Sequence, residues 1–116
     1  DDYPNSKLLD DVLASIRILR EKLARKVFET GILYLKMEEY DSAKLSFKVV
    51  IDQFYDTSYL IYSQKEMVIA LAKNREIDSA ATFLATNEST LRDSSLYDEA
   101  YGVIYDMKIK LEKEQE

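Results

Sequence analysis

The spacing of apolar residues between Ala24 and Thr57 limits this chain's fold more than any other feature. Val27, Gly31 and Tyr34 recur at steps of four and three. Steps of that size put side chains on one side of a helix. After the polar pair Glu38-Glu39, Tyr40, Ala43, Phe47, Val50 and Ile51 resume the same rhythm. The stretch predicts two helices, each with one apolar face, joined so tightly that they pack antiparallel. Gly31 and Ala43 are the small residues of this frame, where two backbones can approach. Tyr34, Tyr40 and Phe47 are the large ones that fill the space beside them.

This spacing resembles a tetratricopeptide repeat, a two-helix unit of about 34 residues with fixed small and aromatic positions. Gly31, Tyr34, Tyr40, Ala43 and Phe47 match those positions over 24–57. Val27, Thr30 and Tyr55 stand where the pattern has Trp, Leu and Pro, so the repeat is degenerate. A second copy is expected over 61–94. Glu39-Tyr40-Asp41-Ser42-Ala43 lines up with Glu76-Ile77-Asp78-Ser79-Ala80, which puts Ala80 in the place of Ala43. Val68 replaces the small residue at the crossing, so the second hairpin should be the looser one.

Tyr3-Pro4-Asn5-Ser6 is turn chemistry, with Ser6 or Asn5 able to cap the helix that follows. Leu9, Val12, Ile16, Leu19 and Leu23 carry the three-four series backwards from Val27. One long helix over 6–37 is expected, with a kink near Arg20–Ala24 as the alternative. Further helices are expected over 40–54, 58–73 and 76–86, the third capped by Asp56, Thr57 or Ser58. Asn87 to Ser95 reads as a loop holding at most a helical turn. Ser94 or Ser95 should then cap a last helix over 96–113, with Leu96, Ala100, Val103, Ile104, Met107 and Leu111 inward. Only two glycines and one proline occur, which suits long helices and does not suit a sheet of many short strands. The expected fold is all-α: antiparallel tetratricopeptide-like hairpins, about five helices, stacked as a short superhelical array in one domain over 1–116. The first and last helices would be its caps.

Several kinds of chemistry are made remote by what the chain lacks. It has no Cys and no His. A thiol nucleophile, a thiolate metal site and the usual general base at neutral pH are therefore missing. No Asp-x-Asp-x-Asp-Gly loop of the calcium-binding kind occurs. No catalytic residue, metal or cofactor is expected, and the chain reads as a non-enzyme. The net charge of −6 speaks against nucleic acid. Arg17, Arg20, Lys22, Arg25 and Lys26 do cluster, but Glu21 and Glu29 interleave with them. No apolar run approaches the roughly 18 residues of a membrane span. The chain opens Asp-Asp-Tyr-Pro, without an initiator Met. It is therefore expected to be a trimmed or mature product, with any export signal or lipidated Cys upstream.

The order of segments is more specific than a generic repeat. Tyr3-Pro4-Asn5-Ser6-Lys7 resembles the end of a preceding repeat. It leads into Leu19-Arg20-Glu21-Lys22-Leu23-Ala24 and Gly31-Ile32-Leu33-Tyr34-Leu35-Lys36. Phe54-Tyr55-Asp56-Thr57-Ser58-Tyr59 then resembles Tyr-Pro-Asp-Thr-Pro-Tyr, with Tyr55 replacing Pro. This order is similar to the C-terminal repeats of the BamD family, the outer-membrane β-barrel assembly lipoproteins, and it does not extend over Asn87–Glu116. The resemblance implies a scaffold at the periplasmic face of the outer membrane. It would be held by an N-terminal lipid that this chain does not carry. It implies binding to the POTRA region of a BamA-like protein, with other assembly lipoproteins as further partners. The family's N-terminal repeats, linked to substrate recognition, have no counterpart here. The alternative is another repeat adaptor that grips a peptide or partner protein in its groove.

Two sets of residues are candidate contacts. Lys44 and Lys48 lie one turn apart, away from the Ala43–Phe47 stripe, either as a basic pair for acidic groups of a partner or as a solvated face. Tyr97, Tyr101 and Tyr105 form a ladder beside the stripe of the last helix. They are either an interface, where Tyr is favoured, or a widening of the core. Tyr55, Tyr59 and Tyr62 pose the same choice at the inter-repeat turn.

Overall fold

A computed structural model of the chain describes residues 4–115. The Tyr3 end of the expected N-terminal turn lies outside the described residues. Those residues form six helices and no strand. They are α1 (Pro4–Lys36), α2 (Tyr40–Gln53), α3 (Leu60–Lys73), α4 (Ile77–Thr86), α5 (Glu88–Asp93) and α6 (Tyr97–Glu114). No helix among them is long and apolar enough to cross a membrane. α1 begins at Pro4, earlier than Ser6, because proline lacks the N–H that a first helical residue leaves unpaired anyway. It runs unbroken through Arg20–Ala24.

The sixth helix is the difference from the expected five. It lies within Asn87–Ser95, where the run of polar residues hid its one anchor. Leu91 is fully buried among Val68, Ala80, Ala100 and their neighbours. Asn87 Nδ2 donates to the Phe83 carbonyl, and Ser94 Oγ donates to the Thr90 carbonyl. These side chains add a second bond to carbonyls that also accept from Asn87 N and Ser94 N at the helix ends. None of the expected serine or threonine caps bonds the first turn of α3 or α6. Thr57 instead donates to the Phe54 carbonyl and is buried in the turn.

Three connections share one geometry. Glu38, Arg75 and Ser95 take positive φ of 59°, 69° and 65°. In each, the following residue donates back five positions: Glu39 to Tyr34, Glu76 to Leu71, and Leu96 to Leu91. This is the Schellman closure, which glycine usually makes. The chain makes it three times without glycine.

Two apolar clusters fill the hairpins. In the first, Ala43, Phe47, Met67 and Ala70 pack with Phe28, Ile32 and Tyr34. A Cβ on Gly31 would lie 2.6 Å from the Phe47 ring. Glycine is therefore what lets that ring rest against the α1 backbone. Full burial of such a side chain contributes about 1.5–3 kcal/mol. In the second cluster, Val68 is fully buried with Ala72, Ala80, Leu84 and Ala100. The small residues there are alanines on both helices, which accommodates Val68.

α3 is the central helix, with Met67, Val68, Ile69, Ala70 and Ala72 all buried. α2 packs on one side of it, and α4 and α6 on the other. The molecule measures 75 × 28 × 17 Å, and α1 alone is about 50 Å long. From Ser6 to Leu19 every residue is exposed, and Arg20 is the first that is partly covered. The first half of α1 is an arm that projects from the hairpins.

Candidate functional site

The base of the arm is fixed by charge. Arg20 Nε donates to Asp56 at 2.9 Å, Nη2 to the same carboxylate at 2.7 Å, and Nη2 also to the Gln53 carbonyl. Glu21 accepts from Ser58 N at 2.6 Å and Ser58 Oγ at 2.8 Å. The α2–α3 turn is thus tied to α1 by neighbouring residues of opposite charge. The Arg20 guanidinium holds the Asp56 carboxyl below its ordinary range. Phe28 stands one turn beyond Ala24 and gathers the aromatic residues. Its ring centroid is 5.8 Å from Phe47, 5.4 Å from Tyr59 and 6.5 Å from Tyr62. Tyr59 is partly covered in this group, whereas Tyr55 and Tyr62 remain exposed.

Lys44 is engaged within the chain. Its Nζ bonds Glu76 and lies 3.1 Å from Asp41. Asn74 Nδ2 donates to both of those carboxylates, at 2.7 Å to Glu76 and 3.1 Å to Asp41. The network ties α2 to the α3–α4 turn. The bond from Lys44, with that from Asn74, holds the Glu76 carboxyl below its ordinary range, and Glu76 in turn raises Lys44. Lys48 lies one turn on, exposed, with Asp52 at 2.8 Å along its own helix. Asp41, Lys44, Leu45, Lys48 and Met67 line a shallow depression of about 410 Å³. Leu45 stands at its edge with two thirds of its surface exposed. The basic pair therefore divides: Lys44 is an internal tie, and Lys48 faces outward.

Of the other residues singled out in the sequence, Gly31, Ala43, Phe47 and Ala80 are buried, and Tyr34 and Tyr40 are partly covered. Burial, with Glu38 nearby, raises the Tyr40 hydroxyl. The tyrosine ladder also divides. Tyr97 packs against the second core cluster under Arg92, whose guanidinium is 3.8 Å from the ring centroid. Tyr101 stacks on Tyr97 at 6.2 Å with 16° between the planes. Tyr101 and Tyr105 are each about half exposed. The ladder thus grades from core to surface along α6.

Sequence spacing did not point to Lys65. It is largely covered between α3 and α6, with Glu66 at 2.8 Å and Glu99 at 3.1 Å. Burial alone would lower its pKa, but the bonds to Glu66 and Glu99 outweigh that and raise it. The available signal was weak: a Lys-Glu pair in the middle of a largely buried helix.

A family model described as YfiO, outer membrane lipoprotein, matches residues 1–90. The match takes in α1 to α4, the Arg20 and Lys44 ties and the depression beside Lys48. It ends before α6 and its tyrosine ladder. None of the curated proteins compared with the chain matches it.

Proposed function

We propose, because the chain belongs to the YfiO family of outer membrane lipoproteins, that it is a non-enzymatic scaffold of the outer-membrane β-barrel assembly machinery. In this reading it sits at the periplasmic face of the outer membrane and binds the POTRA region of a BamA-like protein. The single observation that carries the proposal is the match over residues 1–90. The geometry within that span supports it. α2 presents Lys48 and Leu45 beside a depression floored by Met67, a cation and an apolar contact on one rigid hairpin. Lys44 supports the same surface from within, by holding the two hairpins in register. Tyr101 and Tyr105 are a second candidate contact, outside the matched span.

Surface plasmon resonance with the soluble POTRA domains of the partner, at low and high salt, tests the proposal. Binding that weakens with salt is expected. Lys48→Glu should mainly slow association, and Leu45→Ala should mainly speed dissociation. No binding at either salt, with both proteins folded, would reject the partner. Binding unchanged by both substitutions but reduced by Tyr101→Ala would keep the partner and move the contact to α6. The other reading, an adaptor for an extended peptide, is favoured by the open, largely apolar depression. It requires that unstructured peptides compete at the Leu45–Lys48 surface while folded POTRA domains do not.

A further inference from the structure

α2 and α4 pack on α3 far more than on each other, which leaves a trough between them over α3. The depression beside Lys48, floored by Met67, is one part of it. A second depression of about 360 Å³ is lined by Leu71, Asp78, Ser79, Thr82 and Phe83. Met67 and Leu71 stand one turn apart on α3, so one floor continues into the other. Leu71 and Phe83 pack against both core clusters and carry the floor across to α4. Leu45 is exposed at one lip of the trough, and Ser79 and Thr82 are exposed at the other.

We infer that this trough seats an amphipathic helix of the partner, acidic in its first turn and basic in its last. The inference rests on the scaffold reading, whose contact at Leu45 and Lys48 is one wall of the trough. Two observations select a helix of that chemistry. The first is what the trough offers a bound backbone. An extended segment needs a strand edge to bond its N–H and C=O groups. The described residues contain no strand, and Met67, Leu71 and Phe83 bring no strong hydrogen-bonding group to the floor. A helix bonds its own backbone and presents apolar side chains at steps of three and four. The second is the charge along the trough. The bonds from Asn74 to Asp41 and from Lys44 to Glu76 bring the start of α2 beside the start of α4. Asp41 and Asp78 are both exposed at that end. Lys48 is exposed two turns further along α2, about 10 Å away. Its pair with Asp52 is exposed too, and such pairs are weak enough to exchange. A helix antiparallel to α2 and α4 sets its first turn at Lys48 and its last at the two aspartates. Acidic residues in a first turn and basic ones in a last also suit that helix's own dipole.

Methyl NMR titration with two stapled helical peptides tests the inference without the partner protein. Both carry leucines at steps of three and four. One is acidic first and basic last, and the other has these charges exchanged. The first should shift the Met67 and Leu71 methyl signals and leave Met107 on α6 unmoved. The charge-exchanged peptide should bind roughly threefold more weakly, as exposed ion pairs allow. Ser79→Trp should cut binding by more than about tenfold, since it builds a clash into the seat. That variant should melt as the parent does, because Ser79 is exposed. Peptide binding by a chain that does not bind POTRA domains would reject that partner and keep the helix in the trough. POTRA binding undisturbed by Ser79→Trp would keep the partner and overturn the inference. Equal affinity for the two peptides overturns it as well. So does a proline-interrupted peptide that binds as tightly as the helical one, or the absence of any Met67 shift at millimolar peptide.

Discussion

The two halves of α1 carry the same sequence rhythm in opposite surroundings. From Val27 to Tyr34 the three-four series turns inward, and Gly31 lies under the Phe47 ring. From Leu9 to Leu23 the same series faces solvent. Nothing in the spacing distinguishes the halves, because periodicity records which face is apolar and not what covers it. The cover comes from elsewhere in the chain: α2 and α3 reach back only as far as Arg20 and Glu21.

The largest expected effects test the covered half. Phe47→Ala should cost about 3–5 kcal/mol, as truncation of a fully buried aromatic does. Gly31→Leu should cost about 1–3 kcal/mol or more, because the new side chain meets the same ring. Ile16→Ala, on the arm, should stay within about 0.5 kcal/mol. Thermal melts followed by circular dichroism measure all three. A loss for Ile16→Ala equal to that for Phe47→Ala would show that the halves do not differ in cover.

The next effect lies where the halves meet. Arg20→Ala removes every bond from that guanidinium to Asp56 and Gln53. Its cost to the global melt should be smaller than that of Gly31→Leu, since both partners are part-exposed and screened. Local opening should be more sensitive. Amide exchange across 54–60 should accelerate, while 64–72 in buried α3 should keep its protection. Equal acceleration in both segments would mean that the junction is not a separate unit.

Much of this was legible in the sequence, for a physical reason. The core of a helical hairpin repeats every three or four residues, so Ala43, Phe47, Val50 and Ala80 announce themselves. The small residue at a crossing is visible too, which is why Gly31 could be placed. What stayed hidden depends on pairs distant in sequence. Arg20 looked like one of several basic residues, and nothing local ties it to Asp56. Lys44 looked exposed by helical phase, yet it reaches Glu76 across the hairpins. Phe28 sits one residue off the stripe and gathers three rings. α5 hid because one buried Leu91 among polar residues has no period. The outward turn of Leu9–Leu23 could not be read at all, since exposure is a property of neighbours.

A pH titration probes the same junction more gently. Arg20 holds the Asp56 carboxyl below its ordinary range in the folded chain. A depressed carboxyl contributes stability fully above its unfolded value, about 3.9, and loses it as pH falls through the folded value below. Acid should therefore loosen the α2–α3 turn from α1, and Asp56→Asn should remove that acid-sensitive component. Exchange of the 54–60 amides at a series of acidic pH values measures it. An unchanged acid profile in Asp56→Asn would assign the sensitivity to another group, with Glu76 first in line.

The smallest expected effect is a gain, at the closed end of α1. Glu38 holds φ at 59°, a conformation that costs an L-residue roughly 1–2 kcal/mol and glycine nothing. Glycine there loses more backbone entropy on folding, by roughly 0.5–1 kcal/mol. The side chain of Glu38 is exposed, so little packing is lost with it. The difference predicts that Glu38→Gly stabilises the protein by about 0.5 kcal/mol, a rise of a few degrees in melting temperature for a chain of this size. The bonds from Glu38 N to Leu35 and Glu39 N to Tyr34 remain available in the variant. The corresponding change at Arg75 should yield less, because Arg75 also pairs with Glu114 at 2.8 Å. A loss of stability for Glu38→Gly would mean that the turn relies on its carboxylate more than on its backbone. The contrast within α1 would then extend along its length, the closed end held by side-chain chemistry and Ser6–Leu19 exposed.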